Sequence, residues 1–134
     1  MLTELQRLHA GILAGLDELD ALTAQPDPPM DRIPAVRLAI TRASRARTML
    51  LERIYDQLVT RAPLEQKARI LVLKEEGKDN LAASTGHIGI WTLREIAGRW
   101  HDYRAASNTM RYAMRRRIKN EAELIYPLLS DHSL

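Results

Sequence analysis

Apolar residues recur every three or four positions over long segments of this chain, and proline separates the segments. The apolar positions of the first segment are Leu2, Leu5, Ile12, Leu16 and Leu19. This spacing places an apolar stripe along one face of an amphipathic helix, and it predicts a helix from about Thr3 to Thr23. The stretch QPDPP, residues 25–29, ends that helix, because proline fixes φ and restricts the residue before it.

The same pattern predicts two further helices. The second begins between Asp31 and Pro34, and RAP at residues 61–63 ends it. Pro63 can be the first residue of a third helix, a position where no N–H donor is needed. Each glycine inside a helix weakens it by roughly 1 kcal/mol relative to alanine, so we expect bending or fraying at three positions of this helix. They are Gly77, Gly86 and Gly89.

A capping signal precedes the last helix. In TLRE, residues 92–95, Thr92 can cap a helix and Glu95 can reach back to its first turn, which predicts a short helical segment. Apolar spacing then predicts a long helix from about Tyr103 to Leu129. The short connections favour antiparallel neighbours, so residues 1–134 are expected to form one all-α domain, an up-down antiparallel four-helix bundle.

Composition supports this fold class and excludes several functions. The chain has no Phe and only 4% aromatic residues, so Leu, Ile, Met and Ala must form the core, which suits helices. The absence of Cys excludes disulfides, thiolate metal sites and cysteine nucleophiles. We find no membrane-length apolar run and no signal peptide, and we expect a cytoplasmic protein without a membrane partner.

No motif for ordinary catalysis is present. The sequence lacks a glycine-rich phosphate loop, an HExxH motif, a nucleophile elbow and a Ser-His-Asp order, so we expect that the protein is not an enzyme. The acidic cluster Asp17, Glu18 and Asp20 spreads around the polar side of the first helix, and we interpret it as a solvated face.

The two halves of the sequence resemble each other. HAGILAGLDEL, residues 9–19, is similar to HIGIWTLREI, residues 87–96. ERIYDQL, residues 52–58, is similar to ELIYPLL, residues 123–129, and each contains Glu-x-Ile-Tyr. The order of histidine-bearing and glutamate-bearing helices is therefore repeated, which indicates an internal duplication.

This order resembles the hemerythrin-like (HHE cation-binding) family, whose members are four-helix bundles with a non-haem di-iron site. LQRLHAGILAGLDEL is similar to the family's first helix with its inward histidine, and RRIKNEAELIYPLL to its closing segment. In that closing segment Glu121 and Glu123 fall on the family's acidic positions, and Arg117 falls on its histidine. The corresponding positions of the second helix are Ala46 and Leu50, so this helix supplies no ligand of the family's motif.

The resemblance implies a degenerate metal site. Its possible ligands are His9, His87 and Glu121, enough at best for one weakly bound Fe, Mn or Zn ion, or for none. Arg117 offers no lone pair and would repel a cation. Because Arg117 and Glu121 lie four residues apart on one helix face, we expect their ion pair to replace a metal ligand.

Each candidate also has a purely structural interpretation. His9 could be a buried neutral histidine, and His87 a packing or capping residue near a helix end. Glu121 lies on an apolar stripe, where a carboxylate needs a partner, and Arg117 could be that partner. Glu52 and Glu123 are expected to be solvated, and His101 and His132 to lie at the surface.

We therefore expect a divergent hemerythrin-like protein with a non-catalytic sensing, regulatory or binding role. A metal-free bundle that binds an unknown protein, or forms a homodimer, is one alternative. Binding of an anionic partner through arginine-rich helices is another. Arg47 and Arg117 lean inward, where they could neutralise buried carboxylates. With a net charge of +3 and few interleaved aromatic residues, nucleic acid is a weak candidate.

Overall fold

The computed structural model describes residues 1–130, and that range is all-helical, as predicted. It contains five α-helices and no strand. They are α1 (Leu2–Thr23), α2 (Ile33–Arg61), α3 (Leu64–Ile90), α4 (Leu93–Gly98) and α5 (Trp100–Ser130). Four helices are long and α4 is short, so the structure agrees with the four long helical segments that apolar spacing predicted.

The ends of α1 and α2 match the prediction closely. Pro34 lies in the first turn of α2, where it fits because the first N–H groups of a helix have no intrahelical partner. The helix ends at Arg61, immediately before the segment that leads into Pro63. Pro63 itself precedes α3 as its N-cap residue and is not its first helical residue.

The predicted fraying of α3 was wrong. The helix continues without interruption through Gly77, Gly86 and Gly89 to Ile90, and Trp91 donates its backbone N–H to the His87 carbonyl (2.9 Å). The low helix propensity of glycine therefore does not interrupt this helix.

The last helix also extends beyond its predicted bounds. It begins at Trp100, three residues before Tyr103, and continues through Pro127 to Ser130. Trp100 and Tyr103 are both buried and stack with ring centroids 5.8 Å apart. The Trp100 indole also donates to the carbonyl of Gln25 (3.0 Å). These contacts anchor the first turn of α5.

The capping signal before α4 is confirmed in one of its two parts. The Thr92 hydroxyl accepts a hydrogen bond from the Glu95 backbone N–H (3.2 Å). The Glu95 carboxylate, however, pairs with Arg99 at 3.4 Å, four residues further along the chain. Thr92 therefore caps α4 without the reciprocal bond of a full capping box.

The long helices form a ring of neighbours. α1 packs against α2 and α5, and α3 packs against α2 and α5. Gly15 lies where α1 approaches α2, since a Cβ at this position would come within 2.6 Å of the Ile40 side chain. The α1–α2 pair is thus packed more closely than a larger residue at Gly15 would permit.

A polar layer divides the core into two apolar clusters. The first cluster has buried residues from α1, α2, α3 and α5: Leu5, Leu8, Leu50, Leu51, Ile54, Tyr55, Leu58, Ala62, Ile70, Leu73, Leu124 and Ile125. The second is centred on Ile12, Leu16, Leu19, Leu22, Ile33, Val36, Ile40, Trp91, Ile96, Trp100, Tyr103 and Ile118. Four buried polar residues lie between them along α1, α2 and α5: His9, Arg47, Arg117 and Glu121.

Two further expectations concern the surface. His101 is exposed, as predicted, whereas His132 lies outside the described residues. Within residues 1–130, none of the helices combines the length and apolar character needed to cross a bilayer.

Candidate functional site

Glu121 is the centre of the polar layer. Its position on α5, three residues after Ile118 and four before Ile125, directs its side chain into the core, where it is fully buried. The Nε2 atom of His9 lies 2.8 Å from Oε1, and the Nε atom of Arg117 lies 2.7 Å from Oε2. Oε1 therefore accepts a hydrogen bond from His9, whereas Oε2 is paired with Arg117 by charge and proximity without a hydrogen bond.

His9 connects Glu121 to a tyrosine. Because a carboxylate oxygen only accepts hydrogen bonds, Nε2 of His9 carries the proton that it donates to Glu121. In the neutral ring, Nδ1 then accepts a hydrogen bond from the Tyr126 hydroxyl, whose oxygen is 2.5 Å away. This chain satisfies the polar groups of a buried histidine without a metal ion.

Arg47 brings a second guanidinium to the same carboxylate. Its Nε atom lies 3.9 Å from Oε1 of Glu121, and the side chain is buried. Burial lowers the pKa of Arg47 from its usual value, while the charge of Glu121 acts in the opposite direction. Two buried guanidinium groups thus face one carboxylate.

Several N–H groups of the two arginines have no acceptor. Within residues 1–130, Nε and Nη1 of both Arg47 and Arg117 make no hydrogen bond, and neither does Oε2 of Glu121. A buried donor without an acceptor costs about 1–3 kcal/mol, and more when the group is charged. The positive charge of the polar layer is therefore only partly satisfied by the described residues.

The two tyrosines of the repeated Glu-x-Ile-Tyr motif both face this cluster. Tyr126 bonds to His9, and Tyr55 is buried beside Arg117. Burial, reinforced by the charge of Glu121, raises the pKa of Tyr55 to about 12. Burial likewise raises the pKa of Tyr126. The glutamates of the motif, Glu52 and Glu123, are exposed, as expected.

A cavity of about 350 Å³ adjoins the cluster. It lies between α2, α3 and α5, and both Arg47 and Arg117 line it. Its volume falls within the range of roughly 300–1,000 Å³ that is typical of small-molecule sites. The side chains of both arginines therefore reach the wall of a cavity that is large enough for a small ligand.

The walls of the cavity are mainly apolar, and its charged residues are mainly basic. Apolar side chains on the walls include Leu19, Ile40, Leu51, Leu81, Ile88, Tyr103, Met110 and Met114. Among the charged lining residues described, six are basic and one is acidic: Arg37, Arg45, Arg47, Lys74, Lys78, Arg117 and Glu52. Such a site suits a molecule with an apolar body and a negative group.

His87 lies on the wall of this cavity, apart from the contacts that hold Glu121. Its ring stacks on Tyr103 with centroids 6.1 Å apart, and its Nε2 atom has no hydrogen-bond partner among residues 1–130. Burial and the charge of Arg37 lower its pKa from the usual 6.5. The structure thus brings His9 and Glu121 together and leaves His87 on α3 as a neutral wall residue.

The polar layer does not fit a metal centre. No three of the His, Asp or Glu side chains in residues 1–130 form a group that could hold a metal ion. An ion at Glu121 would have to displace Arg117 from Oε2, and two nearby guanidinium groups would repel it. The hydrogen bonds and ion pairs of the protein therefore occupy the carboxylate that a metal would need.

A seam of ion pairs joins α1 to α5 on the outside. Arg115 pairs with Asp17 at 2.8 Å and with Asp20 at 2.5 Å, and Arg111 pairs with Asp20 at 2.7 Å. The hydrogen bond from Arg115 lowers the pKa of Asp20. Asp17 and Asp20 therefore serve an interhelical contact in addition to facing solvent, and Arg111 and Arg115 are not a bare basic patch.

Sequence reasoning missed the cavity and the two tyrosines that face the cluster. The repeated Glu-x-Ile-Tyr was the available signal for Tyr55 and Tyr126, since it places both at equivalent positions of two inward-facing helices. The cavity left no comparable signal. Its walls come from three helices, and the spacing of apolar residues does not specify how far apart those helices stand.

Comparison of this chain with protein-family models, with curated proteins and with solved structures found no match.

Proposed function

We propose that this protein is a non-catalytic binding or sensing protein that takes a small organic anion into the cavity beside Arg47 and Arg117. The observation that carries this proposal is that Arg47 and Arg117, two buried arginines paired with the single carboxylate of Glu121, both line the cavity. An anion is the ligand that such groups bind best, because hydrogen bonds between charged partners are roughly twice as strong as neutral ones.

The charge balance of the polar layer supports an anionic ligand. Arg47 and Arg117 carry two positive charges against the single negative charge of Glu121. An uncompensated charge inside a protein is strongly destabilising. One bound anion would restore neutrality, and it would do so at the cavity wall that Arg47 and Arg117 line.

The fold in this proposal is an up-down four-helix bundle that has diverged from the hemerythrin-like pattern. The ring of helix neighbours and the short connections support that topology. The polar layer would then take the place of the family's metal centre. Arg117, four residues before Glu121, supplies a positive charge where a metal ion would have supplied one.

A weakly bound metal ion is the competing function. The pair of His9 and Glu121 at 2.8 Å is the observation that favours it, since histidine and carboxylate are ligands of Fe, Mn and Zn. The two functions make opposite predictions about Arg47. Removing this positive charge should improve the binding of a cation and weaken the binding of an anion.

Thermal unfolding separates the two functions. A ligand that binds only the folded state stabilises it by RT ln(1 + [L]/Kd). We expect benzoate and phenyl phosphate to raise the Tm of the wild type, and we expect Arg47→Met to lose that increase. Arg53→Met is the matched control, because Arg53 is an exposed residue of α2 that does not line the cavity.

Metal analysis completes this test. We expect no stoichiometric iron, manganese or zinc in protein purified without a chelator. About one ion per chain, lost in both His9→Ala and Glu121→Ala, would support the metal function instead. An equal increase of Tm in the wild type and in Arg47→Met would contradict the anion site.

A further inference from the structure

Helix α3 has an inward apolar stripe that the other described residues, within 1–130, leave uncovered along half of its length. The stripe steps by three, four, four and seven residues through Ile70, Leu73, Gly77, Leu81 and Ile88. Its first part is buried, since Ile70 and Leu73 pack against the other helices. Leu81 and Ile88 share that face, yet they are 52% and 45% exposed.

Leu81 and Ile88 are exposed because the cavity lies beneath them. Both line it, and the opposite wall includes Ile40, Met110 and Met114 from α2 and α5. Methionine adapts its shape readily to a ligand. The cavity therefore has two apolar walls facing each other, and Arg47 and Arg117 bring the charge.

The close approach of α3 to Arg117 sets the position of the charged end. A Cβ at Gly77 would lie 2.7 Å from Nη2 of Arg117, so the guanidinium reaches α3 where this helix has no side chain. Leu81 lies one turn further along α3, and Ile88 two turns beyond that. An anion bound to the two arginines would accordingly have Leu81 and Ile88 beside it, in the C-terminal direction along α3.

We propose that the ligand is an amphipathic monocarboxylate, with its carboxylate on Arg47 and Arg117 and its apolar chain or ring system against Leu81 and Ile88. This inference rests on the proposed function and adds the chemical class. A single negative charge matches the one excess positive charge of the polar layer. The planar guanidinium fork fits a carboxylate through two parallel hydrogen bonds.

The exposed basic side chains at the cavity support the same ligand class. Arg45 and Lys78 are exposed, and Arg37 and Lys74 are half-buried. Positive side chains around a cleft attract anions and speed their association. Glu52, also exposed, is the one acidic side chain among the described lining residues.

Calorimetric titration with hexanoate, octanoate and decanoate, below their micellar concentrations, tests the proposal. We expect the affinity to rise about three- to fourfold for each added methylene, the change that burial of one CH₂ group produces. Decanol, which has the same chain without the charge, and inorganic phosphate, which has the charge without the chain, should each bind at least tenfold more weakly than decanoate.

Variants assign the two ends of the ligand. Arg47→Met should weaken decanoate binding tenfold or more, since a hydrogen bond between charged groups is lost. Leu81→Asn should reduce the gain per methylene and leave the weak affinity for hexanoate nearly unchanged. Leu71→Asn is the matched control, because Leu71 is also 52% exposed on α3 and does not line the cavity.

Two failures are distinguishable. Binding that needs Arg47 but is no tighter for decanoate than for hexanoate or phosphate would overturn the carboxylate class and leave the proposed anion site in place. Decanoate binding that Arg47→Met does not weaken, or no binding of any anion, would overturn both. Equal effects of Leu81→Asn and Leu71→Asn would also overturn the placement of the apolar chain.

Discussion

At the scale of single residues, Glu121 determines whether the polar layer is stable. It is the fully buried acceptor that His9, Arg47 and Arg117 share. Removing one partner of a buried ion pair leaves the others charged and desolvated, which is far more costly than removing an exposed charge. The stability of the layer therefore depends on this one carboxylate more than on any of the cations.

We expect Glu121→Gln to lower the free energy of unfolding by about 3–5 kcal/mol, the usual effect of breaking a buried ion pair. Glu123→Gln is the matched control, because Glu123 lies two residues along α5 and is exposed. It should change stability by less than about 0.5 kcal/mol. Urea unfolding at neutral pH measures both, and equal losses would show that the ion pairs contribute little.

Tyr55 makes the stability sensitive to alkaline pH. Its pKa is about 12 in the folded protein against 10.0 as the ordinary value. Between these pH values the unfolded chain releases the Tyr55 proton and the folded chain keeps it, so the free energy of unfolding falls as pH rises. This contribution is fully present below pH 10 and is lost above it.

We expect Tyr55 to remove about 2–3 kcal/mol of stability between pH 10 and pH 12, as a shift of about two pKa units implies. Urea unfolding at several pH values measures the total, and Tyr55→Phe should show a shallower decline than the wild type. Tyr112→Phe serves as the control, because Tyr112 is exposed. A decline in Tyr55→Phe as steep as in the wild type would contradict the assignment.

At the scale of helices, apolar spacing and the positions of proline predicted which segments are helical. They predicted the start of the last helix less well. The bounds of α1 and α2 follow from apolar spacing and from proline, both of which act locally. The start of α5 at Trp100 depends on stacking against Tyr103 and on a bond to Gln25. A contact with a residue 75 positions away leaves no trace in local spacing.

In the candidate site, too, contacts within one helix could be predicted from the sequence and contacts between helices could not. Spacing of four residues predicts that Arg117 approaches Glu121, and the two side chains lie 2.7 Å apart. The resemblance to hemerythrin-like proteins suggested His87 as a third ligand, but His87 lies on the cavity wall. Its position depends on how far α3 stands from α2 and α5, and sequence periodicity does not contain that distance.

Gly77 and Gly86 provide a test of the packing between α3 and Arg117. Gly86→Ala meets open space and should stabilise the protein by about 0.5–1 kcal/mol through helix propensity. Gly77→Ala should gain less or destabilise, because its Cβ would lie 2.7 Å from Arg117 Nη2. Thermal unfolding compares the two variants. An equal gain in both would mean that Arg117 moves aside freely.

At the scale of the whole molecule, a layer of charge interrupts an otherwise apolar interior. Two apolar clusters supply most of the burial, and the layer between them holds an excess of positive charge beside a cavity. Hydrophobic replacement of such a layer is often neutral or stabilising. The proposed anion site would give this layer a role that stability alone does not supply.

The most direct test of this account observes the two guanidinium groups themselves. In ¹⁵N-labelled protein, the Nε–H signals of Arg47 and Arg117 can be assigned by their loss in Arg47→Met and Arg117→Met. We predict that saturating decanoate shifts both of these signals and leaves the Nε–H signal of the outer residue Arg115 unchanged. Shifts confined to exposed arginines, or none at all, would contradict an anion site in the polar layer.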